Sequence, residues 1–147
     1  TGIRLAELIG LDIADVDLDG KRITIRAKGG HVETRFLNSD LRTTLRKYLR
    51  RRHEADAQTP ALFLSRRDER LSARQLQDRF GQWLGWAGID RPGLSLHSLR
   101  HTFGTRLYRK TRDLILVGKA MGHKTVEATR IYVHEDSEAL EEALESL

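Results

Sequence analysis

Apolar residues at positions 3, 5, 8, 9 and 11 (Ile3, Leu5, Leu8, Ile9, Leu11) recur at helical spacing and predict a short amphipathic helix at the start of the chain. An Asp19-Gly20 turn separates it from Arg22-Ile23-Thr24-Ile25-Arg26, whose strict alternation predicts a half-buried strand. Lys28-Gly29-Gly30 reads as a second turn, after which Val32, Thr34 and Phe36 alternate with Glu33 and Arg35. The two stretches predict a hairpin with Lys28 near its tip. Ser39 is placed to cap a helix with Leu41, Leu45, Tyr48 and Leu49 on one face and Arg46, Lys47, Arg50, Arg51 and Arg52 crowding the other. After a polar loop, residues 61–65 read as a short buried strand. Ser72 caps a helix carrying Leu76, Phe80, Trp83 and Leu84 that stops before Gly88. Ser95, Asp113 and Thr125 are candidate caps for three more helices, the middle one ending at Gly122. A last helix, about 137–147, places Leu140, Leu144 and Leu147 on one stripe among Glu138, Glu141, Glu142 and Glu145. The pattern predicts an α+β fold, mainly helical with a small antiparallel sheet. It contains no repeat, low-complexity tract or long linker, so one domain is expected.

Composition narrows the class. The 147 residues are 39% hydrophobic and 32% charged, with no cysteine, which excludes disulfides, thiolate chemistry and cysteine-rich zinc sites. No apolar run approaches the roughly 18 residues that cross a bilayer, and the opening lacks the pattern of a secretory leader, so a soluble, cytoplasmic protein is expected. Charge says more than its total of +5, because residues 135–147 hold six acids and no base. The first 134 residues therefore carry 26 bases against 15 acids, a net +11. A body that basic points to a polyanionic partner, most simply nucleic acid, although an arginine-rich solubilising surface has the same composition.

No GxxxxGK[ST] loop and no GxGxxG is present, so no nucleotide or dinucleotide cofactor is expected. His97 and His101 fall at i and i+4, as in zinc proteases. Ser98 stands where those enzymes place glutamate, so a metal is not expected. The same stretch also contains His97-x-x-Arg100, an i, i+3 pair at the start of a helix, where an arginine fork and the helix N-terminus both favour phosphate.

Taken singly, each such residue has an ordinary reading. Arg4 and Glu7 can form an exposed ion pair, Lys28 can be a turn lysine, His97 a core histidine and Tyr132 a core aromatic, while His123 can merely follow a glycine cap. Those readings leave the ordered set unexplained: Arg4 with Glu7, Lys28 in a hairpin, Leu96-His97-Ser98-Leu99-Arg100-His101, Met121-Gly122-His123, and Arg130-Ile131-Tyr132. In order and approximate spacing the set resembles the catalytic domain of the tyrosine recombinases, or phage-integrase family, across nearly the whole chain.

The resemblance implies roles. Arg4 and Arg100 are similar to the family's two phosphate-gripping arginines, and His97 to the histidine often assigned as general base. Lys28 resembles the hairpin lysine that protonates the 5′-oxygen leaving group. His123 resembles a histidine that hydrogen-bonds the phosphate, and Tyr132 the nucleophile, with Glu7 and His101 as supporting residues. The implied reaction is cleavage and rejoining of DNA through a 3′-phosphotyrosyl intermediate, without metal or ATP. The implied partners are double-stranded DNA and further protomers, as a dimer or tetramer on DNA, with the leucine stripe of the C-terminal helix packed either on a neighbouring protomer, as the resemblance implies, or on its own domain. The family also carries a core-binding domain before this one, which is expected to be missing from these residues. A noncatalytic DNA-binding relative and a type IB topoisomerase are the alternatives.

Overall fold

The alternation around Ile23 and Ile25 produces strand β2 (Arg22–Arg26), which pairs antiparallel with β1 (Val16–Asp17) on one side and β3 (Val32–Phe36) on the other. The computed structural model describes residues 1–26, 30–55, 57–123, 125, 127–132 and 144–145. Lys28, at the expected hairpin tip, lies outside them. So does most of the expected acidic helix, of which only Leu144 and Glu145 are described, both helical.

Register decides which face of β3 is buried, and it reverses the hydrophobic pattern. Ile23 stands opposite Arg35 and Ile25 opposite Glu33. Directly opposed residues share a face, so burying the isoleucines carries Arg35 and Glu33 inward. Arg35 is only 5% exposed and pairs with Glu33 at 2.5 Å, which meets the requirement that a buried charge be partnered. Val32 and Phe36, the apolar members, are 67% and 79% exposed.

The described residues fall into two compact units, the first running from Ile3 to His97. In it, α1 (Leu5–Ile9) and a 3₁₀ turn (Ile13–Asp15) precede the sheet, and α2 (Ser39–Glu54) and α3 (Ala73–Trp86) follow it. Leu11, Ile23, Ile25, Leu37, Leu45 and Leu62 form its core, with Ile3, Leu8, Leu41, Tyr48 and Leu49 packed around them. The cap of α2 is Asn38, one residue before the expected Ser39, and its side chain accepts from the Leu41 N–H at 2.9 Å. The expected cap of α3 is present: Ser72 Oγ accepts from the Gln75 N–H, and Gln75 Oε1 accepts from the Ser72 N–H.

Two other expectations are corrected. Residues 61–65 form only isolated bridges, Asp12 with Ala61 and Leu64 with Arg70, although Ala61 and Leu62 are fully buried as a strand there would be. Arg52 does not join the exposed basic face of α2. It turns inward to donate to the carbonyls of Ala61 (3.1 Å) and Thr59 (2.6 Å), so the loop's main chain supplies the acceptors that let a charge be buried. Tyr48 donates nearby to the Leu62 carbonyl at 2.8 Å, and burial pushes its phenol pKa upward.

The second unit joins Thr1 and Gly2 to the residues from Ser98 onward. It holds most of α4 (Leu96–Thr111), α5 (Leu114–Met121) and α6 (Glu127–Arg130). Both ends of α5 follow the sequence. Asp113 accepts from the N–H groups of Ile115 (2.8 Å) and Leu116 (2.9 Å), and Gly122 closes the helix at φ 64°, a conformation that favours glycine. Val117, Met121 and Tyr132 form the core here, with Phe103, Leu107 and Tyr108 against them. No helix among the described residues is long and apolar enough to cross a membrane.

Candidate active site

Tyr132 lies in the turn after α6, not within the helix, and its N–H donates to the Thr129 carbonyl at 3.1 Å. Its side chain is 3% exposed and packs against two imidazoles. The His123 ring stacks nearly parallel to it, with centroids 6.2 Å apart and planes at 8°, and the His101 ring is tilted at 5.3 Å. Below the phenol runs the backbone of α4 at Gly104. A Cβ built on Gly104 would lie 2.4 Å from Tyr132 Cζ and 2.8 Å from its hydroxyl oxygen, so only a glycine leaves room for the ring in this position.

Arg100, one turn earlier on α4, is 6% exposed. Its guanidinium donates to the Gly2 carbonyl and, at 2.6 Å, to the Met121 carbonyl at the end of α5. Gly2 has φ 61°, and a Cβ there would come within 2.5 Å of the Phe103 ring. Arg100 thus ties the main chain of two other segments to α4, a structural role that its phosphate-binding expectation did not include.

His123 follows the Gly122 cap, and its own N–H donates to the Gly118 carbonyl at 2.9 Å. Its Nδ1 is 2.9 Å from the hydroxyl of Thr129, which is fully buried.

The remaining expected residues belong to the Ile3–His97 unit. Glu7 accepts from both the N–H of Arg4 (2.9 Å) and its guanidinium (2.7 Å), which restrains a side chain that is itself substantially exposed. The expected ion pair is therefore formed, and it fixes where the arginine starts from. His97 is exposed on the first turn of α4. The structure brings Arg100, His101, His123 and Tyr132 into one unit and Arg4 with Glu7 in the other.

Comparison with known proteins bears on this constellation. The model of the phage integrase family matches residues 1–139. The chain belongs to this family. It is 36% identical over 143 residues to the tyrosine recombinase XerC of Corynebacterium glutamicum, covering 97% of this chain and 46% of that protein. To XerC of Escherichia coli O157:H7 it is 33% identical, covering 95% and 46% respectively. The chain thus spans about half the length of the curated relatives it matches. Among solved structures, the XerA recombinase superposes with a TM-score of 0.88 at 31% identity, over 99% of this chain and 53% of that one. XerH bound to a palindromic difH substrate, a post-cleavage complex, superposes with a TM-score of 0.84 at 33% identity, over 98% and 42%.

For this phage-integrase domain, two residues of the tyrosine's surroundings were not anticipated. Thr129 opens the sequence stretch that contains Tyr132, but the sequence assigns it no role of its own. Gly104 did carry a signal: a glycine inside a helix costs about 1 kcal/mol relative to alanine, so its presence asks for a packing reason. Gly104→Ala is expected to recover that propensity but force the Tyr132 ring aside, with overpacking costing about 1–3 kcal/mol. The melting temperature of the alanine variant should therefore fall by a few degrees, and the ring contacts of Tyr132 with His101 and His123 should be disturbed. An unchanged melting temperature with unchanged ring contacts would show that the ring's seat on α4 does not matter.

Proposed function

We propose that this chain is the catalytic domain of a site-specific DNA recombinase that cleaves and rejoins strands through a 3′-phosphotyrosyl intermediate at Tyr132. The observation that carries the reading is the ring contact of the buried Tyr132 with His101 and His123, in a chain belonging to the phage integrase family. The likeness to XerH bound to its DNA substrate supports double-stranded DNA as the partner. The +11 charge of the first 134 residues supports the same partner.

In this reaction the Tyr132 hydroxyl oxygen bonds to the scissile phosphorus as the bond to the 5′-oxygen breaks. A phenol with a pKa near ~10 needs a proton acceptor, the role we assign to His97. Lys28 gives its proton to the departing 5′-oxygen. Arg4, Arg100 and His123 donate hydrogen bonds to the nonbridging oxygens, where negative charge grows in the transition state. Glu7 holds Arg4, and His101 flanks the tyrosine ring. The phosphotyrosine conserves the bond energy, so attack by another strand's 5′-hydroxyl reseals DNA without ATP, metal or cofactor. The setting is the cytoplasm, where bacterial or phage DNA resides. Further protomers, as a dimer or tetramer on DNA, are the protein partners, with the stripe of Leu140, Leu144 and Leu147 as a docking element.

Covalent capture tests the proposal without knowledge of the target site. The intact protein is incubated with fragmented genomic DNA flanking its own coding region, denatured in detergent, and protein-linked DNA is recovered and sequenced. Fragments sharing one sequence, attached through a 3′-phosphate, are the expected result; DNA binding with no attachment would mark a noncatalytic relative. Once a site is known, a 5′-bridging phosphorothiolate version isolates Lys28. Sulfur leaves without a proton, so Lys28→Ala should be slowed about a hundredfold on ordinary DNA and far less on the phosphorothiolate. Equal slowing on both would reduce Lys28 to a backbone contact.

A further inference from the structure

We infer that Thr129 is a positioning residue whose hydroxyl donates to His123 Nδ1 and so holds the imidazole as the neutral tautomer protonated at Nε2. The inference rests on the proposed recombinase reading, in which His123 must donate to a phosphate oxygen. With Nδ1 carrying the only proton, Nε2 would present a lone pair to the phosphate and repel it. With Nδ1 engaged as an acceptor, Nε2–H is the donor, and the ring's second nitrogen sets the role of the first.

The geometry confines this pair tightly. Thr129 is fully buried, and its Oγ1 is 2.9 Å from Nδ1. The hydroxyl also lies close over α5, where a Cβ built on Gly118 would approach it to 3.2 Å. The His123 main chain is fastened to that same residue, its N–H donating to the Gly118 carbonyl at 2.9 Å. Backbone and ring of the histidine are thereby referred to one point on α5. Thr129 reaches the nucleophile too, because its carbonyl accepts the Tyr132 N–H at 3.1 Å. One residue therefore contacts the imidazole through its side chain and the tyrosine through its main chain, and the two rings stack nearly parallel beside it.

The test compares Thr129→Val, which keeps the shape and loses the hydroxyl, with Thr129→Ser, which keeps the hydroxyl. In the 147-residue chain labelled with ¹⁵N-histidine, two-bond proton–nitrogen correlations identify the tautomer of His123, assigned by its disappearance in His123→Gln. Wild type and the serine variant should show a proton on Nε2 alone, and the valine variant a mixture of tautomers. Single-turnover attachment to DNA should slow about fivefold to tenfold in the valine variant, the worth of one hydrogen bond, with DNA affinity unchanged and serine restoring the rate. A wild-type ring protonated at Nδ1, or at both nitrogens, would overturn the inference, as would equal rates for valine and wild type or equal slowing by serine and valine. Failure of the recombinase reading is separable: wild type would then form no covalent DNA adduct at all, whatever the tautomer.

Discussion

Tyr132→Phe is expected to abolish covalent attachment to DNA while leaving the fold and DNA affinity nearly intact. The substitution removes one oxygen from a ring that is 3% exposed and keeps the carbon framework that packs against Val117, Met121 and Phe103. A lost hydrogen bond from a buried hydroxyl changes stability by about 1 kcal/mol, far short of what unfolds a domain. The stacking with His123 and the tilted contact with His101 depend on the ring and survive. Under the proposed mechanism the chemistry has no such tolerance, because no other atom of that residue can bond to phosphorus. A detergent-resistant complex formed at the wild-type rate by the phenylalanine variant would move the nucleophile elsewhere. Tyr48 and Tyr108 are the other tyrosines. Tyr48 is committed to the Leu62 carbonyl, with its phenol pKa raised by burial, and would make a poorer nucleophile.

Much of the framework around that tyrosine was legible where one residue type has one physical job. Asp113 and Gly122 bound α5 because an acceptor must meet the first N–H groups and a left-handed residue must end the helix. Ser72 and Gln75 announce α3 in the same way. The burial of β3 was not legible, since alternation along one strand says nothing of the partner's register; Ile23 and Ile25 impose their face on Arg35 and Glu33. Arg52 escaped for a related reason: its acceptors are carbonyls of a loop, which no side-chain pattern reveals. At the site, motif order named candidate groups and was silent on what packs around them. The contacts of Thr129 and Gly104 with His123 and Tyr132 come from segments whose approach depends on tertiary packing.

Arg100→Ala should lower both stability and cleavage, and Arg100→Lys should separate the two losses. In the alanine variant the carbonyls of Gly2 and Met121 lose the donor that serves them, at a cost of about 1–3 kcal/mol for buried acceptors left unpaired. Part of that is returned because a desolvated charge is also removed. A fall in melting temperature of roughly 3–10 °C is the expected net result for a chain of this size. Under the proposed mechanism the same guanidinium donates to a phosphate oxygen as charge develops. Losing one such preorganised donor raises the barrier by about 2.7–4 kcal/mol, a slowing of roughly a hundredfold to a thousandfold. Lysine carries the charge and can donate to one of the two carbonyls, so it should restore part of the melting temperature. It cannot reproduce a planar fork that spans Gly2, Met121 and a phosphate at once, so cleavage should stay near the alanine level. Calorimetry and single-turnover cleavage on the same preparations make the comparison. Cleavage that rises in step with the recovered melting temperature would show that Arg100 serves only the fold, and the phosphate would then have to be held by other donors.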